Sequence, residues 1–161
     1  MNALDILKYG QGTALQAIDG LQDSASGKPG ACGVWSIKDI IAHLASYEHV
    51  MLDVLSTFVG SGSTPYLSKY TDPSSNFNDS EVAARTEKTF KEVVGEFQDT
   101  HAQVMALAER IPEETFRKAG TLPWYGMEYA LDDFIVYTQY GHKREHSAQV
   151  AAFRDHLKNE L

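Results

Sequence analysis

Among the chain's six histidines, two stand four residues apart, in the stretch Tyr140-Gly141-His142-Lys143-Arg144-Glu145-His146-Ser147-Ala148-Gln149. On an α-helix that spacing leaves the two side chains about 40° apart and one turn along, so both imidazoles leave the same face. Leu131, Ile135, Thr138, Gln149 and Phe153 share that face on the helical wheel, which turns the pair toward the core rather than toward water. A core imidazole has two ring nitrogens to satisfy. A divalent cation takes one from each ring, while carboxylates or carbonyls nearby orient the other. His43, which flanks the apolar stripe of an earlier helix, is the natural third ligand. Three neutral imidazoles from two helices form a facial set that leaves coordination positions open. Zinc, nickel and ferrous iron all accept such donors. The spacing is not specific by itself, because His-x-x-x-His arises by chance on many helices, and the ordinary alternative is a hydrogen-bonded core pair.

Two further residues stand where proton transfer or ligand orientation would need them. Tyr47 lies one turn after His43, and Glu145 lies between the two paired histidines. For each the plainer reading is the stronger one: a packed phenol with a satisfied hydroxyl, and a surface carboxylate facing a lysine or arginine.

The elements that carry these residues read as helices. The last runs from about Glu128 to Asn159 and holds His142 and His146. Helix one spans Asn2 to about Gln22, capped by Asn2 and Asp5, with Gly10 and Gly12 weakening its middle. Helix two opens on Ser36 with Asp39 as its reciprocal cap and Trp35 with Ile40 as a hydrophobic staple, and Gly60 is its stop. Its stripe is Ile37, Ile40, Ile41, Leu44, Met51 and Leu55; His43 flanks it, and His49 falls on the wetter side. Ser61 to Phe77 is a long connection with Tyr66, Leu67, Tyr70 and Phe77 in it, fitting either a lid over a pocket or a crossover that covers the bundle end. Helix three is expected from an Asn78 cap with Glu81 as partner through to Arg110, with Phe90, Val94, Phe97, Val104 and Ala108 buried. His101 lies among them as a pocket candidate, although a lone inward histidine is more often a hydrogen-bonded core residue. Pro112 starts a short extra turn that ends by Gly120. Trp124 and Tyr125 then line a pocket mouth or plug the bundle end. The fold class is all-α: a four-helix bundle with a long connection between helices two and three and a short extra turn before helix four, in a single domain over residues 1–161.

Composition narrows the functions. With 22 acidic against 14 basic residues and a formal net charge of -8, the chain has no basic stripe to release counterions from a phosphate backbone, so no nucleic-acid partner is expected. No apolar run reaches bilayer length, and the N-terminus has no signal-peptide pattern, so the expectation is a cytoplasmic protein without a membrane partner. The one cysteine, Cys32, excludes an internal disulfide, and an incidental loop residue is a stronger reading for it than a reactive thiol. No glycine-rich phosphate loop or nucleophilic triad is present. The sequence leaves oligomeric state open, a homodimer through a flat helix face being compatible with a bundle of this size.

Taken together, Trp35-Ser36-Ile37-Lys38-Asp39-Ile40-Ile41-Ala42-His43-Leu44 followed by Glu48, then Phe77-Asn78, then His142-x-x-x-His146-x-x-Gln149, resemble the DinB/YfiT-like superfamily of metalloenzymes over nearly the full chain. The Trp-Ser-x-Lys-Asp signature is similar to that of the branch containing the colibactin self-resistance protein. The resemblance implies a four-helix bundle holding a divalent metal, zinc or nickel first and iron next, through His43, His142 and His146. It implies action on reactive small molecules by hydrolysis or by addition or transfer of a thiol, in detoxification or stress response, with a small-molecule substrate or thiol as partner. The metal would act as a Lewis acid on an electrophile or activate a water or thiol. The alternative is a non-catalytic bundle that binds metal or a small ligand. The resemblance does not specify the substrate.

Overall fold

The computed structural model describes residues 2–60 and 62–160, and among these the regular structure is helical, with one isolated antiparallel bridge between Cys32 and Trp35. The helices in chain order are α1 (Ala3–Ile18), the one-turn α2 (Asp23–Ser26), α3 (Ile37–Val59), α4 (Pro65–Tyr70), α5 (Phe77–Ala83), α6 (Phe90–Ala108), the one-turn α7 (Glu113–Phe116), α8 (Leu131–Ile135) and α9 (His142–Asn159). A 3-10 turn covers Pro73–Ser75, and a π-helical turn, Val136–Gly141, joins α8 to α9 without a break. Four long segments make the all-α bundle: α3 packs chiefly on α6, and α1 packs on α9 and the π turn. No helix among the described residues is long and apolar enough to cross a membrane.

The starts of α1 and α3 follow the sequence signals. Asp5 N–H donates to Asn2 Oδ1 at 3.0 Å, and Asn2 N–H donates to Asp5 Oδ2 at 3.3 Å. Ser36 and Asp39 do the same at 3.1 and 3.0 Å, and α3 stops at Gly60, whose φ of 72° is the left-handed conformation that glycine adopts without strain. The two α1 glycines are not equivalent. A Cβ on Gly10 would stand 1.7 Å from the Gln139 carbonyl oxygen, whereas a Cβ on Gly12 would meet nothing within 4 Å. Gly10 is what lets α1 lie against the π turn.

Helix three is not one helix. The chain breaks between α5 and α6, and the reason is a second cap inside the expected helix. Thr89 Oγ1 accepts from Glu92 N–H at 3.1 Å, and Glu92 Oε2 accepts from Thr89 N–H at 2.7 Å. Arg85 turns inward at the break, its Nε donating to Glu96 Oε2 at 2.6 Å and its Nη1 to the Glu81 carbonyl at 2.9 Å. Nor does Asn78 cap α5. Asn76, at φ 48°, precedes the helix, and Asn78 in its first turn accepts from the Tyr47 hydroxyl at 3.2 Å. The connection before α5 packs down as a built element, since Asp53 of α3 accepts from the Tyr66 and Leu67 N–H groups at 2.7 and 3.0 Å and so caps α4. Ser61, at the start of that connection, lies outside the described residues.

Two apolar cores fill the bundle. One gathers Leu7, Met51, Val54, Leu55, Val104, Leu131 and Phe134, and the other gathers Ala14, Ile37, Ile40, Leu44, Val93, Phe97 and Val150. Along every long segment the switch from one core to the other falls at buried polar residues: Gln11, Glu48, Thr100 with His101, and Gln139 with Lys143. A polar layer therefore crosses the bundle at mid-height.

Candidate metal centre

His43 projects from the second turn of α3, and His142 and His146 project from successive turns of α9. Their ring centroids lie 4.6 to 4.9 Å apart, at interplanar angles of 71° to 88°. The Nε2 atoms converge: His142 Nε2 is 2.9 Å from His43 Nε2 and 3.0 Å from His146 Nε2. All three residues offer a ligand atom within 4.8 Å of one another. His43 and His146 are buried and His142 is half-buried, so one edge of the set faces outward.

Protonation tests whether this set fits a cation. Burial, then the neighbouring His142 and His146, pushes the His43 pKa down to about 2. Burial, then His146 and Lys143, pushes that of His142 down to about 4. Both rings are therefore neutral at pH 7 and each keeps a lone pair. Gln149 Oε1 lies 2.8 Å from His146 Nδ1, which places the hydrogen of that ring on Nδ1 and the lone pair on Nε2. Without a cation, a single hydrogen on His142 Nε2 would have to serve both neighbours. A cation accepts all three lone pairs at once. Among the described residues the Nδ1 atoms of His43 and His142 have no hydrogen-bond partner, so the carboxylates or carbonyls expected to orient the second ring nitrogen are not found there, and Gln149 alone orients a ring of the set. A tetrahedral ion with metal–nitrogen bonds of about 2.0–2.1 Å spaces its ligands about 3.3 Å apart, a few tenths of an ångström wider than these nitrogens stand. The residues fit a divalent metal.

Behind the set lies the polar layer, which the sequence reading missed. Lys143, between the two α9 histidines, is fully buried. Its ammonium pairs with Glu48, donates to Gln11 Oε1 at 3.0 Å and Gln139 Oε1 at 2.8 Å, and stands 5.2 Å from the centre of the Phe97 ring. Burial lowers the Lys143 pKa, with Glu48 opposing. Three acceptors surrounding one nitrogen are what a protonated ammonium requires. Burial alone would raise Glu48, but Lys143 and the hydrogen bond from His101 outweigh it and hold the carboxyl below its ordinary value. The π turn explains why Lys143 faces inward. Its extra residue moves the buried stripe of the last helix on by one position, to Lys143, His146, Ser147 and Val150. Gln149 and Phe153, expected on the core face, lie at its half-buried margin.

The other candidates separate. Tyr47 belongs with the histidines, its ring 4.8 Å from His43 and 4.6 Å from His142. Burial, then Tyr70 and Tyr137, raises its pKa above that of an ordinary phenol. Trp35 covers the far side of His43 at 5.0 Å. His101 stands apart from the set, in the polar layer, with Nδ1 3.1 Å from Glu48 Oε2. Trp124 packs edge-on against Phe134 at 5.2 Å and Tyr70 at 6.2 Å. Glu145 is exposed on α9, outside the group of potential ligands. Cys32 is half-buried in its loop.

Residues 6–150 match the sequence profile of the DinB superfamily, and the chain belongs to that superfamily. Neither a curated protein nor a solved structure is significantly similar to it.

Proposed function

We propose that this DinB-superfamily bundle holds a divalent metal on His43, His142 and His146 and is a metal-dependent enzyme acting on reactive small molecules, by hydrolysis or by addition or transfer of a thiol. The observation that supports it is the convergence of three Nε2 atoms from two buried helical faces. When bound, the metal supplies Lewis acidity; zinc, nickel and ferrous iron all suit imidazole donors. The chain's own groups do the rest. Gln149 fixes the His146 ring so that its lone pair points inward. Tyr47, packed on two ligand rings, is a protonated phenol; by giving up its bond to Asn78 Oδ1 it can donate its one hydrogen to an oxygen developing charge beside the histidines. The Trp35-Ser36-Ile37-Lys38-Asp39 signature supports assignment to the branch that contains the colibactin self-resistance protein, and with it a detoxification or stress role.

Elemental analysis of untagged protein tests the reading, comparing wild type with His43→Ala, His142→Ala and His146→Ala. Near-stoichiometric metal in wild type and its loss in each variant are expected, together with turnover of an electrophile panel, with or without common thiols, that chelation abolishes. Wild type that takes up no zinc, nickel or iron after reconstitution would sink the proposal. Bound metal without metal-dependent turnover would leave a binding bundle in its place.

A further inference from the structure

Next to the histidines, and sharing Tyr47 with them, is a cleft of about 260 Å³ lined by Tyr47, Tyr70, Phe77, Asp72, Asn76 and Asn78, with Pro73 and Ser75 completing its rim. The Tyr47, Tyr70 and Phe77 rings meet edge to face at 5.6 to 5.8 Å, so the aromatic part of a mostly polar lining is already held in place. Its rim is polar and open to solvent. The Asn76 side chain makes no capping bond, and Asn78 uses its oxygen on the Tyr47 hydroxyl, a bond in which its NH₂ takes no part. No lysine or arginine is among the lining residues, and the one charge there is the carboxylate of Asp72.

From this lining we infer that the cleft binds a ring-bearing ligand that carries a hydrogen-bonding substituent and no carboxylate or phosphate. An engineered cavity of about 150 Å³ takes up benzene, so this cleft has room for a larger ring system with a substituent. An anion lying in it would find no lysine or arginine in the lining, and would meet Asp72 in a protein whose formal net charge is already -8. An amide or carbonyl on the ring has donors waiting in the two asparagines. The inference rests on the metal-centre reading in one respect, that the cleft's ligand is the substrate of that site. Low-molecular-weight thiols bearing carboxylates are then excluded from the cleft itself.

Two probes of equal size separate charge from shape: 2-naphthamide and 2-naphthoate, titrated calorimetrically into the full chain after treatment with EDTA. The amide is expected to bind at least tenfold more tightly. Asp72→Asn, which keeps an acceptor for Ser74 at the 3-10 turn, should narrow that ratio several-fold. Tyr70→Ala should weaken amide binding at least tenfold, and Tyr70→Phe should keep it. Equal binding of the two probes, tighter binding of the naphthoate, no amide binding at millimolar concentration, or amide binding indifferent to Tyr70→Ala would each overturn the assignment. A separate zinc titration of the same protein reads the metal proposal. Failure there, with the amide preference intact, would remove the metal centre and leave the ligand class standing.

Discussion

The buried pair Lys143–Glu48 offers the sharpest test of how the site is held. Both side chains are fully buried, and they tie α9, which carries two of the histidines, to α3, which carries the third. Lys143→Met would leave the Glu48 carboxylate with only His101 Nδ1, at 3.1 Å, to answer it. Removing one partner of a buried ion pair costs about 3–5 kcal/mol. For a chain of this size that is a fall of roughly 6–20 °C in melting temperature, at about 2–4 °C per kcal/mol. Glu48→Leu leaves the opposite error, an ammonium with two amide oxygens and no countercharge, at a similar cost. The double variant removes both charges together. What then remains is about 1–3 kcal/mol for each buried group left without its partner, a cost that Lys143→Met already bears at Gln11 and Gln139 and Glu48→Leu already bears at His101.

The double variant should therefore be no less stable than either single one, giving a coupling energy of about 3 kcal/mol. Urea denaturation at pH 7 in EDTA measures it free of metal linkage. Single variants that each cost less than 1 kcal/mol, or single effects that add to within about 0.5 kcal/mol in the double variant, would refute the account of the polar layer as a charged, mutually dependent unit. A second readout separates holding the fold from holding the site. If the pair also sets the distance between the two ligand helices, the double variant should bind zinc at least tenfold more weakly than wild type while still unfolding in one cooperative urea transition.

Three other outcomes follow from particular contacts. Gly12→Ala should stabilise by about 0.5–1 kcal/mol, the usual gain of alanine over glycine in a helix, whereas Gly10→Ala should destabilise because its Cβ would meet the Gln139 carbonyl at 1.7 Å; the same sign for both in thermal unfolding would contradict the close packing of α1 on the π turn. Chelation should lower the melting temperature of metal-loaded wild type by roughly 5–10 °C if metal is present at about 100 times its dissociation constant, and should leave His146→Leu unmoved; a shift of equal size in the variant would mean that the histidines do not carry the linkage. Burial would raise Glu96, but His49 at 3.8 Å and the hydrogen bonds from Lys88 and Arg85 outweigh it and hold its pKa well below the ordinary carboxylate value of 4.5. The unfolded chain therefore takes up a proton that the native chain refuses, so this contribution is fully present above pH 4.5 and is lost as pH falls below it. Glu96→Gln should flatten the acid limb of the stability curve, and an unchanged limb would show that Glu96 is not ion-paired in solution.

What the sequence made legible was local. Asn2 with Asp5 and Ser36 with Asp39 are short-range chemistry, complete within one turn, and both caps form as their spacing demands. The histidine pair on α9 was legible for the same reason, because four residues along one helix is a distance that tertiary structure hardly alters. The second cap at Thr89 and Glu92 was equally local, and its pattern lies in the open; the apolar spacing that runs across it, from Val82 to Ala108, concealed it. The inward turn of Lys143 had no local sign, since a helical wheel assumes a uniform 100° per residue and one π turn breaks that assumption for everything after it. Depth along the bundle carries the missing signal. Gln11, Glu48, His101 and Lys143 each interrupt the apolar pattern of a different segment near its middle, and a glutamate falling at the same height as a lysine and a histidine has two partners available that face-by-face reading cannot see. The interruptions also explain the siting of the histidines. Three imidazoles next to a fully apolar core would be costly to keep polar, but here they border a layer that is already hydrogen-bonded, so the bundle accommodates a polar site at its centre while its two ends remain packed with hydrocarbon.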